Sequence, residues 1–77
     1  MNGGEKMQRD WLIAIRKEKK LSQKYVSEQV GIAQPSYFNI EVGKRSPSVP
    51  VAKKIAAVLG FDWTQFYEEA GAGEDSA

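Results

Sequence analysis

Apolar positions along this chain recur three and four residues apart, and glycines and prolines cut the pattern into short segments. From about Met7 to Lys19, Trp11, Leu12 and Ile15, with Met7 and Ala14 beside them, share one helical face without a glycine or proline between them. This predicts a first helix. The stretch Leu21 to Lys44 then reads as two short helices joined by a tight turn. Ser22 stands where an N-cap belongs, and Tyr25, Val26, Gln29 and Val30 follow as an amphipathic pattern. Gly31 should end that helix, because glycine reaches positive φ without a Cβ clash and lets the chain reverse. Ile32 is the apolar residue of the turn and should tuck between the two helices. The next helix opens near Gln34 or Pro35, where the missing proline N–H costs no intrahelical bond, and should end at Gly43.

Residues 43–50 carry two prolines and two serines and read as a loop. A fourth helix follows, with Ser48 as N-cap, Pro50 in the first turn and Val51, Ile55, Val58 and Leu59 as its apolar face, ending at Gly60. A fifth helix starts at Phe61, Asp62 and Trp63. Asp62 is its candidate N-cap, and Trp63, Phe66 and Tyr67 form an aromatic face. Residues 1–6 show no apolar pattern, and residues 69–77 are small, acidic and polar, so both ends are expected to be disordered around a domain spanning 7–68. The expected fold is all-α, a compact five-helix bundle. Its expected core is Leu12, Ile15, Val26, Val30, Ile32, Tyr37, Ile40, Ile55, Val58, Leu59, Phe61 and Phe66.

The 77 residues suffice for one small domain with a modest core. With no cysteine and no histidine, there is no disulfide and no thiolate or imidazole metal site. The same absence, with no glycine-rich phosphate loop and no paired carboxylates, makes an enzyme a poor reading. No cofactor is implied and no small-molecule ligand is evident. No apolar run approaches the length of a membrane span, and the N-terminus lacks the apolar region of a secretory signal, so a cytoplasmic location is expected. The net charge of +1 hides a segregation: residues 1–67 hold all 11 Lys and Arg against six acids, while Glu68, Glu69, Glu74 and Asp75 close the chain. The folded part is basic, which suits phosphate contact but also suits plain solubility.

Two helices this short cannot persist alone in water and need a scaffold. A pair of this size with a glycine in its turn has the shape of a DNA-binding helix-turn-helix, at about residues 22–42. The series L-S-Q, V-x-x-x-V-G-I and Q-x-S-x-x-x-I-E-x-G-K-R-x-P-S, continued by K-K-I-A-A-V-L-G, resembles the XRE-like helix-turn-helix family of phage repressors, Cro proteins and related bacterial regulators. The likeness spans roughly residues 8 to 67 and implies a lambda-repressor-like domain from a bacterium or its phage. Many members of that family have glycine where Lys20 stands.

A helix lying in the major groove reads bases from its exposed face, chiefly from its first turn. Gln34, Ser36, Tyr37 and Asn39 lie on this helix, and amide side chains suit paired hydrogen bonds with adenine. The resemblance places the base-reading positions at Gln34, Pro35 and Asn39, with Phe38 also outward. Pro35 offers an apolar contact to a thymine methyl. Phe38 either faces DNA or a partner, or fills a gap beside the fourth helix. Gln23 either caps its own helix or, as the resemblance implies, holds a phosphate and braces Gln34. Lys44 and Arg45 follow the recognition helix, either as phosphate contacts or as a solvated loop, and Ser46 and Ser48 are weaker candidate donors to phosphate. Lys17, Lys19 and Lys20 suit the negative end of the first helix as well as they suit phosphate. The resemblance also implies a structural pair between Arg16 and Glu41.

Trp63, Phe66 and Tyr67 together exceed what a small domain readily hides, which makes them candidates for a homodimer seam. Dimers place two recognition helices about 34 Å apart on a near-palindromic site. The reading is therefore a sequence-specific regulator of transcription that binds double-stranded DNA, in the manner of a repressor. The alternative is a protein-interaction module on the same fold, antitoxin-like or antirepressor in kind, using Phe38 and the last helix. The rim of Gln23 with the cations Lys44 and Arg45 favours DNA.

Overall fold

A computed structural model describes residues 8–68, so the expectations for 1–6 and 69–77, and for Met7 in the first helix, lie outside the described residues. Five helices and no strand occur among the described residues: α1 (Asp10–Glu18), α2 (Gln23–Val30), α3 (Gln34–Glu41), α4 (Val49–Leu59) and α5, described over residues 65–68. None of the described helices is long and apolar enough to cross a membrane.

The punctuation acts where the pattern places it. The Ser22 hydroxyl accepts the Tyr25 N–H at 2.9 Å and caps α2, and the Ser48 hydroxyl accepts the Val51 N–H at 3.4 Å at the start of α4. Gly31 and Gly60 close α2 and α4 in the left-handed region, at φ 86° and 80°. The corner after α1 takes the same conformation without glycine, since Lys20 sits at φ 61°. A side chain there works against the backbone by roughly 1 kcal/mol.

The boundaries of α1 and α5 differ from expectation. Helix α1 begins at Asp10, after the non-helical Gln8 and Arg9, and its N-cap Arg9 supplies no capping side-chain bond. At the other end Asp62 caps a turn first: its Oδ1 accepts from the Thr64 N–H at 3.0 Å and the Thr64 hydroxyl at 2.8 Å, and helical structure starts only at residue 65.

Helix α2 packs on α3 and α4, and α3 packs on α1. Leu12, Val26, Val30, Tyr37, Ile40, Ala52, Ile55, Leu59 and Phe66 form the core. Ile15, Ile32, Val58 and Phe61 are only partly buried, flanking this core rather than filling it. Ala52 and Ala56 take the centre of the α4 face instead, because the buried stripe runs through Ala52, Ile55, Ala56 and Leu59 at helical spacing. Helix α4 is apolar on nearly every side, so its composition alone leaves the angle of that stripe open, and small alanines let it lie close to its neighbours. Trp11, Phe61 and Phe66 meet edge to face, with centroids 5.2 to 5.8 Å apart, and tie α1 to α5. Such pairs add about 0.5–1.5 kcal/mol each beyond the area they bury.

Candidate nucleic-acid interface

Helix α3 is short and lacks a side-chain cap at Ala33, so its position depends on what grips it from behind. The grip is an ion pair. Arg16 from α1 donates to Glu41, the last residue of α3, through Nε at 2.6 Å and Nη2 at 3.2 Å. Glu41 is 1% exposed. The Arg16 Nη1 also donates to the Leu21 carbonyl at 2.9 Å, which fixes the corner between α1 and α2. Burial alone would push the Glu41 carboxyl up. Hydrogen bonds from Arg16 and Gln23, the adjacent Tyr37 hydroxyl and the Arg16 charge outweigh it and hold the carboxyl below its usual range. The hydrogen bond to Glu41 raises the Arg16 guanidinium further against desolvation. Tyr37 is fully buried beside the pair, and its hydroxyl makes no hydrogen bond of good geometry. Desolvation, then the neighbouring carboxylate, raises its ionisation far above the ordinary phenol range.

A second anchor comes from Arg9, which the sequence did not single out. Its backbone N–H donates to the Glu41 carbonyl at 2.8 Å, and its Nη1 donates to the Ile40 carbonyl at 2.7 Å and the Arg45 carbonyl at 3.1 Å. The guanidinium lies 5.5 Å from the centre of the Phe66 ring. Arg9 thus caps the negative end of α3 and holds the loop beyond it. A single arginine ahead of an amphipathic helix carries no sequence signal of such a role.

In front of these anchors the candidate readers separate into two groups. Gln34, Pro35 and Phe38 are exposed, and with Gln23 they line one open cleft at the start of α3. Phe38 keeps 46% of its surface exposed, so it does not fill a gap beside α4. Ser36 is half-buried and lines a different groove, between α3 and the following loop, with Ile32, Ile40, Arg45, Ser46 and Val51. Asn39 is also half-buried, and its carbonyl accepts the N–H groups of Lys44 at 2.9 Å and Arg45 at 3.2 Å. Gly43, at φ 88°, allows this reversal. Lys44, Arg45 and Ser46 are exposed beside the end of α3. Gln23 donates through Nε2 to Glu41 Oε1 at 2.9 Å, so part of its amide is committed to the ion pair.

The aromatic group divides as well. Phe66 is 2% exposed and stacks in the core, which corrects its assignment to a dimer seam. Tyr67 is 41% exposed, and its ring meets Trp63 edge to face at 5.6 Å. Trp63 is half-buried, with the Lys53 ammonium 5.1 Å from its ring centre.

A short, solvent-facing second helix, set at a glycine turn and flanked by cations, defines a DNA-binding helix-turn-helix module. The helix-turn-helix family model matches residues 12–66, and the chain belongs to that family. It is 48% identical over 63 residues to a protein of Bacillus subtilis (strain 168) named as an uncharacterized HTH-type transcriptional regulator, YqaF, covering 82% of this chain and 83% of that protein. No solved structure matches the chain.

Proposed function

We propose that this DNA-binding regulator acts as a repressor, binding a near-palindromic operator as a homodimer with α3 in the major groove. The observation that carries the reading is the face of α3. Gln34, Pro35 and Phe38 point to solvent, while Tyr37, Ile40 and Glu41 lock the opposite side into the fold. Gln34, Pro35 and Phe38 are the exposed base-facing set, Ser36 and Asn39 are half-buried candidates at its margin, and Gln23, Lys44, Arg45 and Ser46 are the phosphate-facing set. Trp63 and Tyr67 supply the seam between protomers. The name of the Bacillus subtilis relative supports a role in transcription. The protein acts in the cytoplasm, where its DNA lies.

Titration of a fixed duplex at several salt concentrations tests the phosphate-facing set. Lys44→Ala should weaken all sequences alike and reduce the slope of log K against log salt by about 1. An unchanged slope would remove Lys44 from that set.

A further inference from the structure

The cleft at the start of α3 has two polar walls, Gln23 and Gln34, and two apolar ones, Pro35 and Phe38. Pro35 and Phe38 are three residues apart, and Gln34 and Phe38 four, so all three share one helical face. Proline contributes no N–H and no polar side chain, and the half-exposed Phe38 ring adds only apolar surface. Apolar surface on a face directed at DNA needs an apolar counterpart. Among base edges in the major groove, the C5-methyl group of thymine is the apolar group that projects into the groove.

We propose that the cleft receives the C5-methyl group of a thymine in each half-site, with the Phe38 ring as its wall and Pro35 against its second side. The inference rests on the DNA-binding reading above. Thymine rather than another C5-methylated pyrimidine is the occupant, because the exposed Gln34 amide on the same face suits adenine, which accompanies thymine in A·T pairs. Phe38 is then a specificity-determining residue whose contribution is apolar contact. The cations Lys44 and Arg45 follow the other end of α3 and do not line this cleft.

Replacing thymine by deoxyuridine removes the methyl group and leaves the hydrogen-bonding edge intact, so it isolates the contact. The protein is titrated with its selected duplex site and with duplexes carrying deoxyuridine at each thymine in turn, alongside Phe38→Ala and Phe38→Leu. One thymine per half-site should lose about fourfold in affinity on demethylation, the equivalent of one buried methyl at about 0.8 kcal/mol. Phe38→Ala should abolish that sensitivity, whereas Phe38→Leu, which keeps an apolar wall, should retain most of it. Deoxyuridine tolerated at every thymine while sequence-specific binding persists would overturn the inference and leave the DNA-binding reading standing. If demethylation is tolerated but 5-methylation of a cytosine in the site raises affinity, the thymine assignment is likewise overturned. A folded protein that enriches no duplex overturns both readings.

Discussion

Replacing Arg16 by alanine should strongly destabilise the domain, because Arg16 is buried and grips the end of α3 through Glu41. Glu41 is 1% exposed and receives its bonds from Arg16 Nε at 2.6 Å, Arg16 Nη2 at 3.2 Å and Gln23 Nε2 at 2.9 Å. Removing the guanidinium leaves one neutral donor on a buried carboxylate and also frees the Leu21 carbonyl. Breaking a buried pair in this way costs about 3–5 kcal/mol. The total stability of a small domain is about 5–15 kcal/mol, so the loss takes a large share of it. At about 4–8 °C per kcal/mol for a domain of this size, the midpoint should fall by at least about 12 °C. A thermal melt followed by far-ultraviolet circular dichroism at pH 7 measures it. The double variant Arg16→Met with Glu41→Leu removes both charges together and should recover most of the loss, because the single variant suffers from the stranded charge rather than from the missing bond. An Arg16→Ala midpoint within about 3 °C of wild type would refute the reasoning, since that corresponds to less than about 1 kcal/mol.

Three further outcomes follow from the same geometry. Lys20→Gly should raise stability by about 1 kcal/mol, because Lys20 holds φ 61°, and a melt midpoint that falls would contradict it. Glu41 titrates below its ordinary value of 4.5 in the fold, so its contribution is complete above that pH and is lost as pH falls through the lower folded value. Urea midpoints compared between pH 7 and pH 3 should therefore drop less in the Arg16→Met, Glu41→Leu variant than in wild type. Phe66→Ala should cost about 3–5 kcal/mol as a core deletion, whereas Tyr67→Ala should cost only about 0.5–1.5 kcal/mol, its ring pair with Trp63, and weaken self-association in sedimentation equilibrium. Equal effects of the two on the melt would place Tyr67 in the core.

Much of the fold was legible because its boundaries rest on local chemistry. Ser22, Ser48, Gly31 and Gly60 act within their own turn, so their roles could be read without knowing the neighbours. What depends on packing between elements was not legible. The angle of the buried stripe on α4 is set by α2, which selects Ala52 and Ala56 over Val51 and Val58. Phe66 and Tyr67 are adjacent aromatics, and only the placement of Trp11 and Phe61 sends one inward and leaves the other out. The Arg16–Glu41 contact spans 25 residues and came from family resemblance rather than from spacing. Arg9 bridges 31 and 36 residues to carbonyl groups, which every residue possesses, so no side-chain pattern marks its partners. The outward side of α3 was legible in part, since Phe38 admitted both an inward and an outward reading until its exposure decided it.

Whether the protein reads a DNA sequence through α3 is decided by selection of the purified protein on random double-stranded DNA, with Gln34→Ala run in parallel at the same salt. A near-palindrome whose half-sites lie about 34 Å apart should be enriched, with Gln34→Ala losing preference at one position per half-site at a cost of about 1–3 kcal/mol. A folded protein that enriches no sequence, or a Gln34→Ala variant that weakens every sequence equally, would contradict that reading.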